Sequence, residues 1–129
     1  MNGIYAGTWD LLHPGHLAAL RWAKGRCKFL TAALNIDPTI DNPKKQKPLE
    51  SKADRIERLK ACKFVDAIIC YTGEKELKNI YRLGLYDVAF ISEEHKENYT
   101  DPSPAKIMFV PRNSTHASTR LREAIYERR

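Results

Sequence analysis

Two histidines, His13 and His16, stand three residues apart in the stretch Gly7-Thr8-Trp9-Asp10-Leu11-Leu12-His13-Pro14-Gly15-His16. Proline is favoured at the first position of a helix, where its missing N–H costs nothing. His13 is therefore expected to cap a helix and His16 to sit in its first turn. Unpaired backbone N–H groups and the positive end of the helix dipole then lie beside both imidazoles. Such a corner suits a phosphate. Two other readings stay open for the pair. Histidines can simply cap a helix, and they can hold a metal, but a metal needs a third ligand and usually prefers histidines at i, i+4. No third ligand flanks the pair, and His95 and His116 are isolated, so no protein-bound transition metal is expected.

A second candidate phosphate site lies near the end of the chain, where Arg112 follows an apolar run and Ser118-Thr119 opens a helical pattern with Arg120 and Arg122 behind. The cluster Lys44-Lys45-Gln46-Lys47 reads equally well as solvated surface or as ligands of an anion, and Arg55 is ambiguous too, since a helix-borne arginine is more often a surface residue than a ligand. No Ser/His/Asp or Cys/His arrangement suggests covalent catalysis, and neither the Gly-rich dinucleotide fingerprint nor the P-loop pattern occurs. Imidazoles and scattered cations without those motifs point to direct in-line transfer at phosphorus, which needs positioning and positive charge more than covalent help.

The elements that would position these groups alternate. Ile4-Tyr5-Ala6 reads as a first strand. Gly15 to Lys24 follows as a helix with Leu17, Leu20 and Ala23 on one face and Gly25 as its stop. Phe29 to Ile36 is nearly unbroken apolar sequence, as in a strand covered on both faces. A polar loop of about fourteen residues, Asp37 to Glu50, exceeds the usual connection length and is expected to be functional. Ser51 to Asp54 has the form of a capping box, opening a helix to about Cys62 with Ala53, Ile56 and Leu59 toward the core. Val65–Tyr71, Val88–Ile91 and Ile107–Val110 read as further strands. A helix over Glu74–Leu83 ends at Gly84, Ser92 to Pro104 reads as a loop, and Ser118 caps a last helix. The expected fold is α/β: a five-stranded parallel sheet with right-handed crossovers and helices on both faces. Ligands then bind beyond the carboxyl ends of the strands. The opening motif, the lysine loop, Ser92-Glu93-Glu94-His95 and Pro111-Arg112 should meet on that edge.

The 129 residues suit a single domain over 1–129. With 43% hydrophobic and 29% charged residues the composition is that of a soluble globular protein, expected to be cytoplasmic. No apolar run could span a bilayer. Three cysteines without a C-x-x-C pair read as reduced thiols. The 22 basic against 16 acidic residues, a net +6, favour anionic partners, whether nucleotide phosphates or nucleic acid, and the charge alone does not choose between them. With the candidate phosphate sites beside it, nucleic acid is the less expected partner, and no membrane partner is expected.

With those residues in view, the chain resembles the cytidylyltransferase-like nucleotidyltransferases. Its opening motif matches the family's G-T-F-D-x-x-H-x-G-H signature, with Trp9 for the usual phenylalanine. Within that family it looks most like the bacterial glycerol-3-phosphate cytidylyltransferases. The likeness runs through the lysine loop, Arg55, Val65-Asp66, Pro111-Arg112 and Ser118-Thr119. The resemblance implies a Rossmann-like fold, the nucleotidylyltransferase variant of that five-stranded parallel sheet, with a nucleoside triphosphate bound with Mg²⁺ and a phosphate-monoester acceptor, foremost CTP and glycerol 3-phosphate, in a homodimer. It implies that His13 and His16 hold the phosphates and stabilise the transition state, and that Lys44 and Lys47 neutralise charge. It implies that Gly7, Thr8, Trp9, Asp10, Arg55, Arg112, Ser118 and Thr119 line the nucleotide site. The chain departs from the pattern at His116-Ala117-Ser118-Thr119, which also resembles the I-S-S-T of adenylyltransferases, and at Ser92-Glu93-Glu94-His95, where cytidylyltransferases carry G-D-D-W. The alternatives are an adenylyltransferase using ATP and, from another class, a non-catalytic nucleotide- or nucleic-acid-binding module.

Overall fold

The computed structural model describes residues 1–98 and 106–111. Five strands, β1 (Asn2–Gly7), β2 (Phe29–Asn35), β3 (Ala67–Tyr71), β4 (Val88–Ser92) and β5 (Lys106–Val110), alternate with helices α1 (Pro14–Lys24), α2 (Lys52–Ala61) and α3 (Glu74–Arg82). Every pairing is parallel, and the strand order is β3-β2-β1-β4-β5. The chain thus works outward from β1 to one side and then returns to the other. The gap between β1 and β4 is the point where strand order reverses, and Gly7, Asn35, Tyr71, Ser92 and Val110 all end on one edge.

Alternate strand residues feed two apolar layers. Tyr5, Leu30, Leu34, Val88 and Phe90 pack with Leu20 of α1 and Leu59 of α2 on one face. Ile4, Ala33, Tyr71 and Ala89 pack with Leu77 and Tyr81 of α3 on the other. Helices therefore cover both faces, as the unbroken apolar strands require. Two local expectations differ. Ala53 is exposed, and Arg55 and Leu59 are the buried positions of α2, because the Arg55 guanidinium finds carbonyl partners inside. Glu93–Asn98, read as loop, is a 3₁₀ helix with acidic residues in its first turn. The helix expected after Ser118 lies outside the described residues. Among the described residues no helix is long and apolar enough to cross a membrane.

Candidate nucleotide site

The corner after β1 is built from two left-handed residues and a reciprocal cap. Trp9 and Leu11 adopt φ of 52° and 48°, a conformation that costs an L-residue roughly 1–2 kcal/mol. Each is held by a bond. The Trp9 indole donates to the Ala33 carbonyl at 3.2 Å, and the Leu11 N–H donates to Glu50 at 2.7 Å. Trp9 is only 4% exposed, so its ring serves as the floor of the corner and does not reach into solvent. Gly7 is what lets that ring in: a Cβ there would stand 2.9 Å from the Trp9 ring.

His13 caps α1 as expected. Its Nδ1 accepts the Gly15 N–H at 3.0 Å, and the His16 Nδ1 accepts the His13 N–H at 3.3 Å. With both Nδ1 atoms engaged as acceptors, both rings are neutral tautomers with their hydrogen on Nε2. The rings stack at 3.9 Å between centroids, and His16 meets the edge of Trp9 at 5.7 Å. Burial pushes the His16 imidazole down to about 4, helped by the neighbouring His13 and opposed by Asp10. Two uncharged N–H donors thus stand at the positive end of a helix.

A cleft of about 890 Å³ opens over this corner along the carboxyl edge of the sheet, within the 300–1,000 Å³ usual for small-molecule sites. Gly7, Thr8, Trp9, Asp10, His13 and His16 line it, with Lys45 of the long loop, Ser92 to His95 after β4, and Pro111 after β5. The expected convergence on one edge is therefore present as far as Pro111. Arg112, Ser118 and Thr119 lie outside the described residues.

Of the other site residues, Arg55, Lys44 and Lys47 stand outside the cleft wall, and Asp10, though it lines the cleft, is engaged with backbone. Arg55 is 2% exposed and does not line the cleft. Its guanidinium donates to the carbonyls of Thr8, Asn35 and Ile36 at 3.1, 2.8 and 2.9 Å, stapling the ends of β1 and β2 to α2. Asp10 accepts the N–H groups of Leu49 and Glu50, both at 2.9 Å. Partial burial would raise its carboxyl, but those bonds and the Arg55 charge hold it below the usual value. Lys44 and Lys47 are exposed on the loop and do not line the cleft; Lys45 does.

Sequence reasoning missed a whole wall. Tyr71 at the end of β3, and Glu74, Leu77, Lys78 and Tyr81 at i, i+3, i+4 and i+7 of α3, complete the cleft. The signal was available, since β3 also ends on the ligand edge. Lys78 is half-buried there, and among the described residues no acid pairs with it. Tyr5 also lines the cleft, its hydroxyl 3.4 Å from the Ser92 hydroxyl; burial raises it, the Ser92 bond lowers it and Glu94 raises it further, so the phenol stays protonated.

A family model described as cytidylyltransferase-like matches residues 4–92. The FAD synthase of Thermococcus sibiricus is 28% identical over 135 residues, covering 96% of this chain and 91% of that protein. The bifunctional protein HldE of Paramagnetospirillum magneticum is 35% identical over 79 residues, which are 60% of this chain but only 16% of HldE. Among solved structures, a lipopolysaccharide core biosynthesis protein from Thermoplasma volcanium superimposes with a TM-score of 0.67 at 20% identity, over 85% of this chain and 95% of that one. At that identity the likeness is one of fold.

Proposed function

Because the chain belongs to the cytidylyltransferase-like family of nucleotidyltransferases, we propose that its cleft joins a nucleoside triphosphate to a phosphate monoester, with ATP as the donor. An acceptor phosphate oxygen attacks the α-phosphorus while the bond to the α–β bridging oxygen breaks. Pyrophosphate departs, and the acceptor leaves joined to the nucleotide through a diphosphate. The observation that carries this reading is the stacked pair His13 and His16, neutral and with Nε2 hydrogens, at a helix N-terminus that opens on the cleft. Neutral donors fixed before the reaction stabilise charge as it develops on phosphoryl oxygens, without a proton having to move first.

Positive charge comes from Lys45 on the loop side and from Lys78 on the α3 wall. In-line displacement puts the attacking and leaving oxygens on opposite sides of phosphorus. Lys45 would then serve the departing pyrophosphate, and Lys78 would meet the acceptor phosphate. Magnesium, when bound with the triphosphate, supplies charge neutralisation. Such an ion is held mainly through phosphate oxygens and water. The cleft-lining carboxylates of Glu74 and Glu94 would be its protein partners.

ATP is preferred because a relative that matches nearly the whole chain, the Thermococcus sibiricus protein, is named for making FAD, a molecule with an adenylate half. The likeness of His116 to Thr119 to the adenylyltransferase pattern points the same way. CTP with glycerol 3-phosphate is the second reading, favoured by the likeness of the lysine loop and of Val65-Asp66. The test is pyrophosphate release from ATP or CTP with Mg²⁺ and a panel holding FMN, sugar phosphates and glycerol 3-phosphate. Release at least about tenfold faster with ATP is expected. Faster turnover of CTP with glycerol 3-phosphate would reverse the donor assignment. Nucleotide binding without release from either triphosphate would leave a binding module and sink the enzyme reading.

A further inference from the structure

Glu50 ends the lysine loop just before α2, and its side chain is only 9% exposed. One carboxylate oxygen accepts the N–H of Leu11 at 2.7 Å, and the other accepts Nε–H of Arg58 on α2. Asp10, the residue before Leu11, answers by accepting the N–H groups of Leu49 and Glu50. Three bonds therefore tie the loop that precedes His13 to the end of the lysine loop, in a reciprocal arrangement. Leu11 is one of the two left-handed residues of that corner. A backbone N–H aimed at a largely buried carboxylate is what keeps it there, and His13 follows two residues later.

The other end of the lysine loop is anchored as well. Asp37 accepts from the Thr39 N–H and hydroxyl, and Asp41 accepts the Glu74 N–H at the start of α3. Both anchors leave the middle of the loop, with Lys44, Lys45 and Lys47, exposed between them.

We propose that Glu50 is a positioning residue for nucleotidyl transfer, holding the Leu11 turn that aims the His13–His16 pair and fixing the anchor from which Lys45 reaches the cleft. The inference rests on the nucleotidyltransferase reading of the site. It also fixes what Glu50 must supply: an acceptor at the Leu11 N–H, more than a negative charge. The amide oxygen of glutamine can make that bond; alanine cannot.

The test compares the full chain with Glu50→Ala, Glu50→Gln and Arg58→Ala. In Glu50→Ala, kcat is expected to fall roughly 10- to 100-fold, as for an ångström-scale misplacement of catalytic groups, with the KM for ATP within about threefold. Tryptic nicking after Lys44 and Lys45 should speed up at least about fivefold, because that end of the loop loses its bonds to Leu11 and Arg58 and keeps only those to Asp10. Glu50→Gln should recover most of the rate and most of the protection. Arg58→Ala keeps the Leu11 bond and should hold kcat within about threefold of wild type.

A folded Glu50→Ala with wild-type kcat overturns the proposal, as does a glutamine variant that fails as badly as the alanine one. An Arg58→Ala defect as deep as that of Glu50→Ala overturns it too, by pointing to the ion pair. If Glu50→Ala does not fold, the glutamine and Arg58 variants decide between these outcomes. A wild type that releases no pyrophosphate defeats the functional reading instead. The nicking comparison then judges the lock by itself, and equal nicking of wild type and Glu50→Ala overturns it.

Discussion

His16 works against its own solution chemistry, since its surroundings favour the uncharged ring. With its value pushed down to about 4 by burial and by His13, the imidazole should stay neutral through the physiological range. The rate of pyrophosphate release is therefore expected to show no inflection from His16 between pH 8 and about 5. The Trp9 ring touching His16 offers an independent readout, because its emission should change with a midpoint near pH 4. A midpoint above 6 would refute the buried neutral ring. The same shift carries a stability consequence. The folded value lies below that of a free imidazole, about 6.5, so the unfolded chain takes the proton first. The stabilisation linked to His16 is complete above about pH 6.5 and is lost as the pH falls toward 4. Its ceiling is about 3 kcal/mol, lowered by solvent screening of a partly exposed ring. Replacing either histidine with alanine should cut kcat by at least about 100-fold, the scale of one lost transition-state donor, while circular dichroism stays native. Gly7→Ala forces a methyl against Trp9 and should destabilise the chain by roughly 1–3 kcal/mol in a denaturant titration.

Strand and helix order was legible because apolar runs and caps mark each element. His13, Ser51 and Gly84 sit where the chain needs a cap or a left-handed turn; Gly84 has φ of 74°. What stayed illegible was the direction of polar side chains. Arg55 and Asp10 belong to residue types that bind phosphates or neutralise cations, yet here both spend their hydrogen bonds on backbone groups of other segments. Nothing local distinguishes these uses, because the partners are 19 to 47 residues away for Arg55. Glu50 escaped notice for the same reason. The Arg55 staple has a measurable weight. Arg55→Met keeps bulk but leaves three carbonyls short of a donor. At about 1 kcal/mol or more for each, it should lower Tm by roughly 10 °C for a chain of this size, seen by calorimetry. A shift under 2 °C would show that water replaces the guanidinium.

At the scale of the molecule, a net charge of +6 is consistent with either a nucleotide or a nucleic acid, and the function proposed for the cleft predicts the former. ATP with Mg²⁺ at a hundred times its Kd should stabilise the fold by about 2.7 kcal/mol and raise Tm by roughly 10 °C. Duplex DNA bound with a steep salt dependence, and no shift with ATP, would reverse that preference. The all-parallel sheet has one more consequence. Every strand delivers its last residue to the cleft edge, so the first residues of every strand collect at the opposite edge. Met1 is there, its carbonyl bonded to the N–H of Lys28, and the six residues of β1 separate it from Gly7 by about 20 Å. The fold is thus built like a socket with its wiring at the back. Another domain or a surface tether joined ahead of Met1 would leave the mouth open, and turnover by such a fusion should match that of the chain alone.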